Sequence, residues 1–237
     1  MPGRASLSEI MRLLAALGDP DEALSLSALL SLKKMDTLPV DLLITGLRDA
    51  HERVRSGAAF MLGVNRDSDA VDPLIAALQD LDKDVRRKAV WALEEIGDAR
   101  AAESVNRLLD DQDSDVRVIA ARALGQFKVP YVVESLIAAL QDKSMRGNAT
   151  WALGQIGDVR AVSPLLTVLG DSDYWCRQAA AEALGKIGDK QAVEPLVATL
   201  HDEYWGVRHA AAEALEKIGT PEALAAVEAW KREQGKK

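Results

Sequence analysis

The chain has 237 residues, of which 48% are hydrophobic, so it can bury a large core. A net charge of −8 and a pI of about 5.0 argue against a nucleic-acid backbone or an anionic membrane as the main partner. The single cysteine, Cys176, excludes an internal disulfide and fits a reducing compartment. No apolar run approaches the ~20 residues that span a bilayer, and Glu9 and Arg12 interrupt the stretch after Arg4, so no secretory leader is expected and a cytoplasmic location is the default.

Taken in order, residues 1–39 read as a worn helical hairpin, with Leu13, Leu14 and Leu17 in a first helix and Leu24, Ala28 and Leu32 in a second. From Val40 each unit repeats the same plan. A first helix carries a leucine-rich core such as Leu74-Ile75-Ala76-Ala77-Leu78 or Leu136-Ile137-Ala138-Ala139-Leu140. Pro73, Pro164 and Pro195 recur just before it, where a first helical turn tolerates proline and a later position would kink. A polar turn follows, as in Gln79-Asp80-Leu81-Asp82. The second helix then places Val85, Ala89, Leu93 and Ile96 on one face, ends at Gly97 as a left-handed cap, and leaves Asp98 to cap the next helix.

The position of Arg86 recurs as Arg55, Arg117, Arg146, Arg177 and Arg208, with Ser25 in the worn copy, at intervals of 29 to 31 residues. A fixed period in this range is the signature of a solenoid. Asp49, Asp80, Asp111, Asp171 and Asp202 each stand six residues before the arginine. One Asp and one Arg per unit should stack into a ladder between neighbouring repeats, with surface pairs worth ~0.2–1 kcal/mol each and acting mainly on register. Cys176 falls in a column filled elsewhere by Val, Met and Leu, which reads as a small buried hydrophobe. After Phe127 the expected Gly-Asp is replaced by Lys128-Val129-Pro130-Tyr131, and the turn from Gln141 to Ser144 is two residues short. A local change of curvature is expected between 125 and 147. Residues 220–233 read as a closing helix, capped by Thr220 with Pro221 first, that lays Leu224, Val227 and Trp230 over the last exposed core.

The motif Asp171, Cys176-Arg177, Ala180-Ala181, Leu184-Gly185, Ile187-Gly188-Asp189 resembles the HEAT-like repeats of phycobilisome lyase subunits and many prokaryotic scaffold proteins. That resemblance covers nearly the whole chain and is weakest in 1–39. It implies an all-α, right-handed α-solenoid of about seven helical hairpins plus a C-terminal capping helix. The expected organisation is a single solenoid over 1–237: 1–39 a degenerate N-terminal capping repeat, 40–219 six regular repeats, and 220–237 the capping helix and tail.

If repeated columns hold the fold, varied columns carry recognition. At about 100° per residue from Val85, Trp91 falls at about 240°, nearly opposite the core. Its column reads Leu30, Phe60, Trp91, Arg122, Trp151, Glu182 and Glu213. By the resemblance, second helices line the concave surface, so this strip runs along a groove. Tyr174-Trp175 and Tyr204-Trp205 add rings at the start of the last two second helices, where packing on adjacent repeats is the competing reading. Trp and Tyr dominate binding hot spots. The expected partner-binding residues are therefore Phe60, Trp91, Arg122, Trp151, Tyr174, Trp175, Glu182, Tyr204, Trp205 and Glu213. The expected partner is another protein, carrying basic residues opposite Glu182 and Glu213, and not nucleic acid or membrane.

No nucleophile–base pair, glycine-rich phosphate loop or paired-cysteine motif is present, so the expectation is a non-enzymatic interaction scaffold with no cofactor and no metal. The alternative from the resemblance is a bilin lyase subunit, or a chaperone-like subunit of one, whose aromatic groove holds a linear tetrapyrrole. A repeat-built iron hydroxylase is weighed against it. His51-Glu52 is its only His-Glu pair, however, and His201 and His209 read as solvated surface residues that complete no ligand set. A DNA-repair glycosylase would need a basic groove, and Asp84, Glu95, Glu182 and Glu213 share the region with Arg87, Lys88 and Arg122.

Overall fold

The structure is a computed structural model that describes residues 7–17, 19, 21–34 and 40–234. Arg4 and residues 35–39 and 235–237, which enter the expectations above, lie outside them. Every regular element among the described residues is a helix. The first helices are α1 (Leu7–Ala16), α3 (Val40–Gly46), α5 (Val71–Ala77), α7 (Ala102–Asn106), α9 (Val133–Ala139), α11 (Val162–Val168) and α13 (Val193–Thr199). The second helices are α2 (Glu22–Lys33), α4 (Glu52–Asn65), α6 (Lys83–Ile96), α8 (Ser114–Phe127), α10 (Arg146–Ile156), α12 (Tyr174–Ile187) and α14 (Trp205–Ile218), and α15 (Pro221–Gln234) follows. This is the hairpin architecture of an α-solenoid. It divides into two compact units, Met1–Ala123 and Leu124–Lys237.

In both units the punctuation acts as the sequence suggests. Asp67, Asp98, Asp158 and Asp189 each accept the N–H two residues on and start a 3-10 turn that leads into the first helix. Pro73, Pro164 and Pro195 then fall in the first turn of α5, α11 and α13, where no intrahelical donor is missed. Gly97, Gly157, Gly188 and Gly219 end second helices at φ of 76°, 75°, 76° and 70°. Arg66 and Lys128 occupy the same step in α4 and α8 at φ of 54° and 53°. The left-handed cap is thus kept where its preferred residue is not. Val85, Ala89 and Leu93 are fully buried, as are Ala120, Leu124, Ala180 and Leu184 at matching steps. Ile96 is half-buried, at the frayed edge of that face.

The ladder is present, and it is shielded rather than superficial. Arg55 donates from Nε and Nη2 to both carboxylate oxygens of Asp80 at 2.7 and 2.9 Å, while its Nη1 donates to the Asp49 carbonyl at 2.9 Å. Arg86 repeats this toward Asp111 and Asp80, and Arg177 toward Asp202 and Asp171. Each arginine therefore closes the turn of its own hairpin and clamps the turn of the next. The Arg86 and Asp111 side chains are only 14% and 6% exposed, so the surface value for an ion pair does not apply. The carboxylates sit below the usual range. Burial works to raise Asp80 and Asp111, and the hydrogen bonds from Arg55 and Arg86, with backbone N–H bonds, more than offset it. At Asp202 the Arg177 hydrogen bond is itself the largest influence, and at Asp171 it is the N–H of Asp173.

The short turn changes one rung. With two residues missing, α10 starts at Arg146 itself, whereas α6, α8 and α12 start three residues before their arginine. Asp142 takes the N–H and O–H of Ser144 at 2.8 and 2.6 Å instead of capping a helix. Arg146 then turns its fork round. Nε reaches the Leu140 carbonyl at 2.7 Å, and a single nitrogen reaches Asp171 at 2.6 Å.

Both termini correct the expectation. Second helices pack along second helices, α4 on α6 and α12 on α14, but α1 rather than α2 packs along α4. Leu14 of α1 is fully buried there, and Leu24, Leu26 and Leu30 of α2 are about half exposed. Ser25 donates to the Leu17 carbonyl at 3.0 Å and takes no part in the ladder, so Leu30 does not extend the Phe60 column as the period implied. At the other end Thr220 caps α15, accepting the Ala223 N–H at 3.2 Å. Ala223, Val227 and Trp230 are the residues that cover the core, whereas Leu224 faces out at 43% exposure.

Candidate interaction face of the second helices

Trp91 and Trp151 do not stand free opposite the core. A second helix lies beside the second helix of the preceding hairpin, so a side chain at 240° on the isolated wheel meets that neighbour. Gly63 and Gly125 make the room. A methyl group on either would come within 2.7 Å of the Trp91 or Trp151 ring, and within 2.7–2.8 Å of the Ala92 or Ala152 backbone. Gly154 and Gly185 fill the same step opposite Ala183 and Ala214, where the column holds Glu182 and Glu213. Between α6 and α8 the glycine is replaced by Glu94, and the column residue is Arg122, which donates to both Glu94 oxygens at 2.7 and 2.6 Å. At three junctions the varied column is thus paired across to the preceding helix, tryptophan over glycine twice and arginine with glutamate once. Both indoles are half-buried rather than exposed. With the Gln155 amide turned so that its oxygen accepts, the Trp151 indole N–H donates to it at 3.0 Å.

In the first unit the open half of this face is aromatic and basic. Phe60 and Trp91 stack with centroids 4.9 Å apart and planes at 20°. The Lys88 ammonium lies 4.8 Å from the Phe60 centroid. A hollow of about 400 Å³ beside them is lined by Trp91, Arg87, Ile119 and Arg122. Lys88, three residues before Trp91, shares this face with Arg87 and Arg122 as the sequence places it, but is not among the expected partner-binding residues.

In the second unit the start of α12 and α14 carries the open rings. Tyr174 and Tyr204 stack at 4.4 Å with planes at 9°, which is the inter-repeat packing that competed with a binding role. The Arg177 guanidinium lies 5.6 Å from the Tyr204 centroid. Trp175 and Trp205 remain 62% and 65% exposed, more than any other phenylalanine, tyrosine or tryptophan in the described residues. His209 stacks on Trp205 at 4.9 Å and 10°, and its Nε2 lies 3.2 Å from Glu213. That makes it part of an aromatic–acidic strip rather than a merely solvated residue, and the i, i+4 spacing of Trp205, His209 and Glu213 was readable. Glu182 accepts from Gln178 at 3.0 Å.

Cys176 is buried, and burial, then Asp171 and Asp173, push its thiol upward, which makes it a packing residue. Among the described residues no three His, Cys, Asp or Glu side chains are placed to hold a metal ion, and no helix is long and apolar enough to cross a membrane.

The model of a family described as HEAT repeats matches residues 40–117, 103–182 and 163–235. A segment of 69 residues is 38% identical to the phycocyanobilin lyase subunit alpha of Picosynechococcus sp., covering 24% of this chain and 26% of that protein. The chain thus matches about a quarter of the length of this curated relative. Among solved structures, the complex of CpcE and CpcF of phycocyanin lyase from Nostoc sp. aligns at a TM-score of 0.62 with 28% identity, over 80% of each chain. YibA of Escherichia coli aligns at 0.66 with 20% identity, over 98% of this chain and 99% of that one, a likeness of fold.

Proposed function

We propose that this chain, which belongs to the HEAT-repeat family, is a non-enzymatic scaffold that captures a segment of a partner protein on the outward face of its second helices. The observation that carries the reading is the pair of indoles at Trp175 and Trp205. They recur one repeat apart on regular helices and are about two-thirds exposed, with Asp173 accepting the Trp175 backbone N–H and Glu213 paired with the His209 that stacks on Trp205. Such rings fit the aromatic anchors of protein interfaces, and the carboxylates favour basic residues in the part of the partner that lies there. The Trp175→Ala/Trp205→Ala double variant should keep its helicity and lose partner capture from an extract of the source cells. Capture at wild-type level would end this reading.

A second reading is favoured by the lyase relatives. In it the chain is one subunit of a bilin lyase, paired with another chain, and the Phe60–Trp91 face holds the pigment. Mixing the purified chain with phycocyanobilin tests it: a shift of the visible absorption band that Trp91→Ala abolishes supports it, and an unchanged spectrum counts against it.

A further inference from the structure

Around Phe60 and Trp91, the neighbouring cations among the described residues are each matched by an acid, with one exception. Arg122 is held by Glu94, Arg87 lies 2.8 Å from Asp84 and 3.6 Å from Asp115, and Arg55 and Arg86 belong to the ladder. Lys88 is half-buried, and among the described residues its ammonium has no hydrogen-bonded or ion-paired oxygen, only the face of Phe60. Burial, then the charge of Arg87, draw its affinity for the proton below the ordinary lysine value, and Asp84 on the same helix opposes them only weakly. A charge held this way weakens the free fold, and an anion from outside would relieve it.

The surroundings say what kind of anion. Lys88 and Phe60 form the wall between two hollows. One is the basic, aromatic hollow beside Trp91. The other, of about 300 Å³, exists because α1 has taken the place of a second helix along α4, leaving α2 set off from it. Leu17, Leu26, Leu29 and Gly57 line this second hollow, with Ser25 and Ser56 among them. The one carboxylate among its described lining residues, Asp19, is already bonded to the Asp21 N–H and to Arg53. The site is therefore an ammonium over a recess with a leucine and phenylalanine wall.

We propose that Lys88 receives an acidic side chain of a partner protein segment, while an apolar residue next to it in that segment fills the hollow under α2. This rests on the reading that the face takes a protein segment, and adds the chemistry of one anchor. Charge complementarity selects the occupant: the free ammonium is flanked by Arg87 and Arg122, and the described lining of the recess beside it leaves no other charge unpaired.

The test uses the full chain and a short fluorescein-labelled peptide alternating leucine and glutamate, with its leucine–glutamine counterpart. Fluorescence anisotropy should show binding of the glutamate peptide, at least ~tenfold weaker binding to Lys88→Met, and no binding of the glutamine peptide. Lys88→Met removes an unpaired charge and should melt no lower than wild type, so lost binding will not be lost folding. No binding of the glutamate peptide, equal binding to Lys88→Met, or equal binding of the glutamine peptide would overturn the proposal. The Trp175→Ala/Trp205→Ala variant separates the two ideas. If it loses partner capture while Lys88→Met binds the peptide normally, the anchor is wrong and the scaffold reading stands. If it keeps partner capture while peptide binding depends on Lys88, the scaffold reading fails alone.

Discussion

Two rows of side chains run along the same helices and obey different rules. In the arginine row Arg55, Arg86 and Arg177, each one turn into its second helix, meet the same partners: a carbonyl six residues back and a carboxylate 25 residues ahead. The column five residues later meets partners that change along the chain: glycine under tryptophan, glutamate against arginine, and, within their own helices, Gln178 beside Glu182 and His209 beside Glu213. Repetition is strict where the neighbour is the same backbone turn each time. Variation is allowed where the neighbour is a side chain that can change with it. The second row is the less constrained of the two, although Trp91, Trp151 and Arg122 in it are already partly committed to packing.

Substitutions should separate the rows by size of effect. The largest loss is expected from Arg177→Ala, which strands the Asp202 carboxylate, 12% exposed, and two turn carbonyls. Urea melts at neutral pH should show about 2–4 kcal/mol of destabilisation. The same rung sets an acid limit. Asp202 is held below the usual carboxylate range in the folded chain, so its contribution is complete above that range and disappears as pH falls through the lowered value. The variant should therefore show less additional loss on acidification than wild type.

Gly125→Ala comes next. Its new methyl would press on the Trp151 ring and the Ala152 backbone, costing about 1–3 kcal/mol. Trp151→Ala, which empties only a half-buried site, should cost about 1–2 kcal/mol. Trp175→Ala and Trp205→Ala should each stay within about 0.5 kcal/mol. Equal losses at 151 and 205 would erase the distinction between a packed and an open ring. The smallest change is a gain: Lys128→Gly relieves a left-handed residue at φ 53° and should add about 0.5–1 kcal/mol, read as a higher melting temperature.

The architecture was legible because each repeat writes its own punctuation. Gly97, Asp98 and Pro73 act locally, through backbone dihedrals and caps, and local physics survives without knowledge of neighbours. What depended on neighbours was harder to see. The wheel placed Trp91 away from the core of its own hairpin and could not show the helix that flanks it. The worn copy misled for the same reason: with one side open, α1 and not α2 lies along α4, and no period announces that exchange. Within the candidate face, the Phe60–Trp91 and Tyr174–Tyr204 stacks follow from residues one repeat apart, so column alignment could point to them. The isolation of Lys88 could not be read from sequence, since it rests on where every nearby carboxylate is already spent.

Hydroxyl-radical footprinting of the chain with and without its captured partner tests the central claim most directly. The account predicts that Trp175 and Trp205, open in the free chain, become protected on capture, with the oxidation of Leu81 in the α5–α6 turn unchanged. Protection confined to that turn or to the first helices, with both indoles as reactive as before, would contradict it.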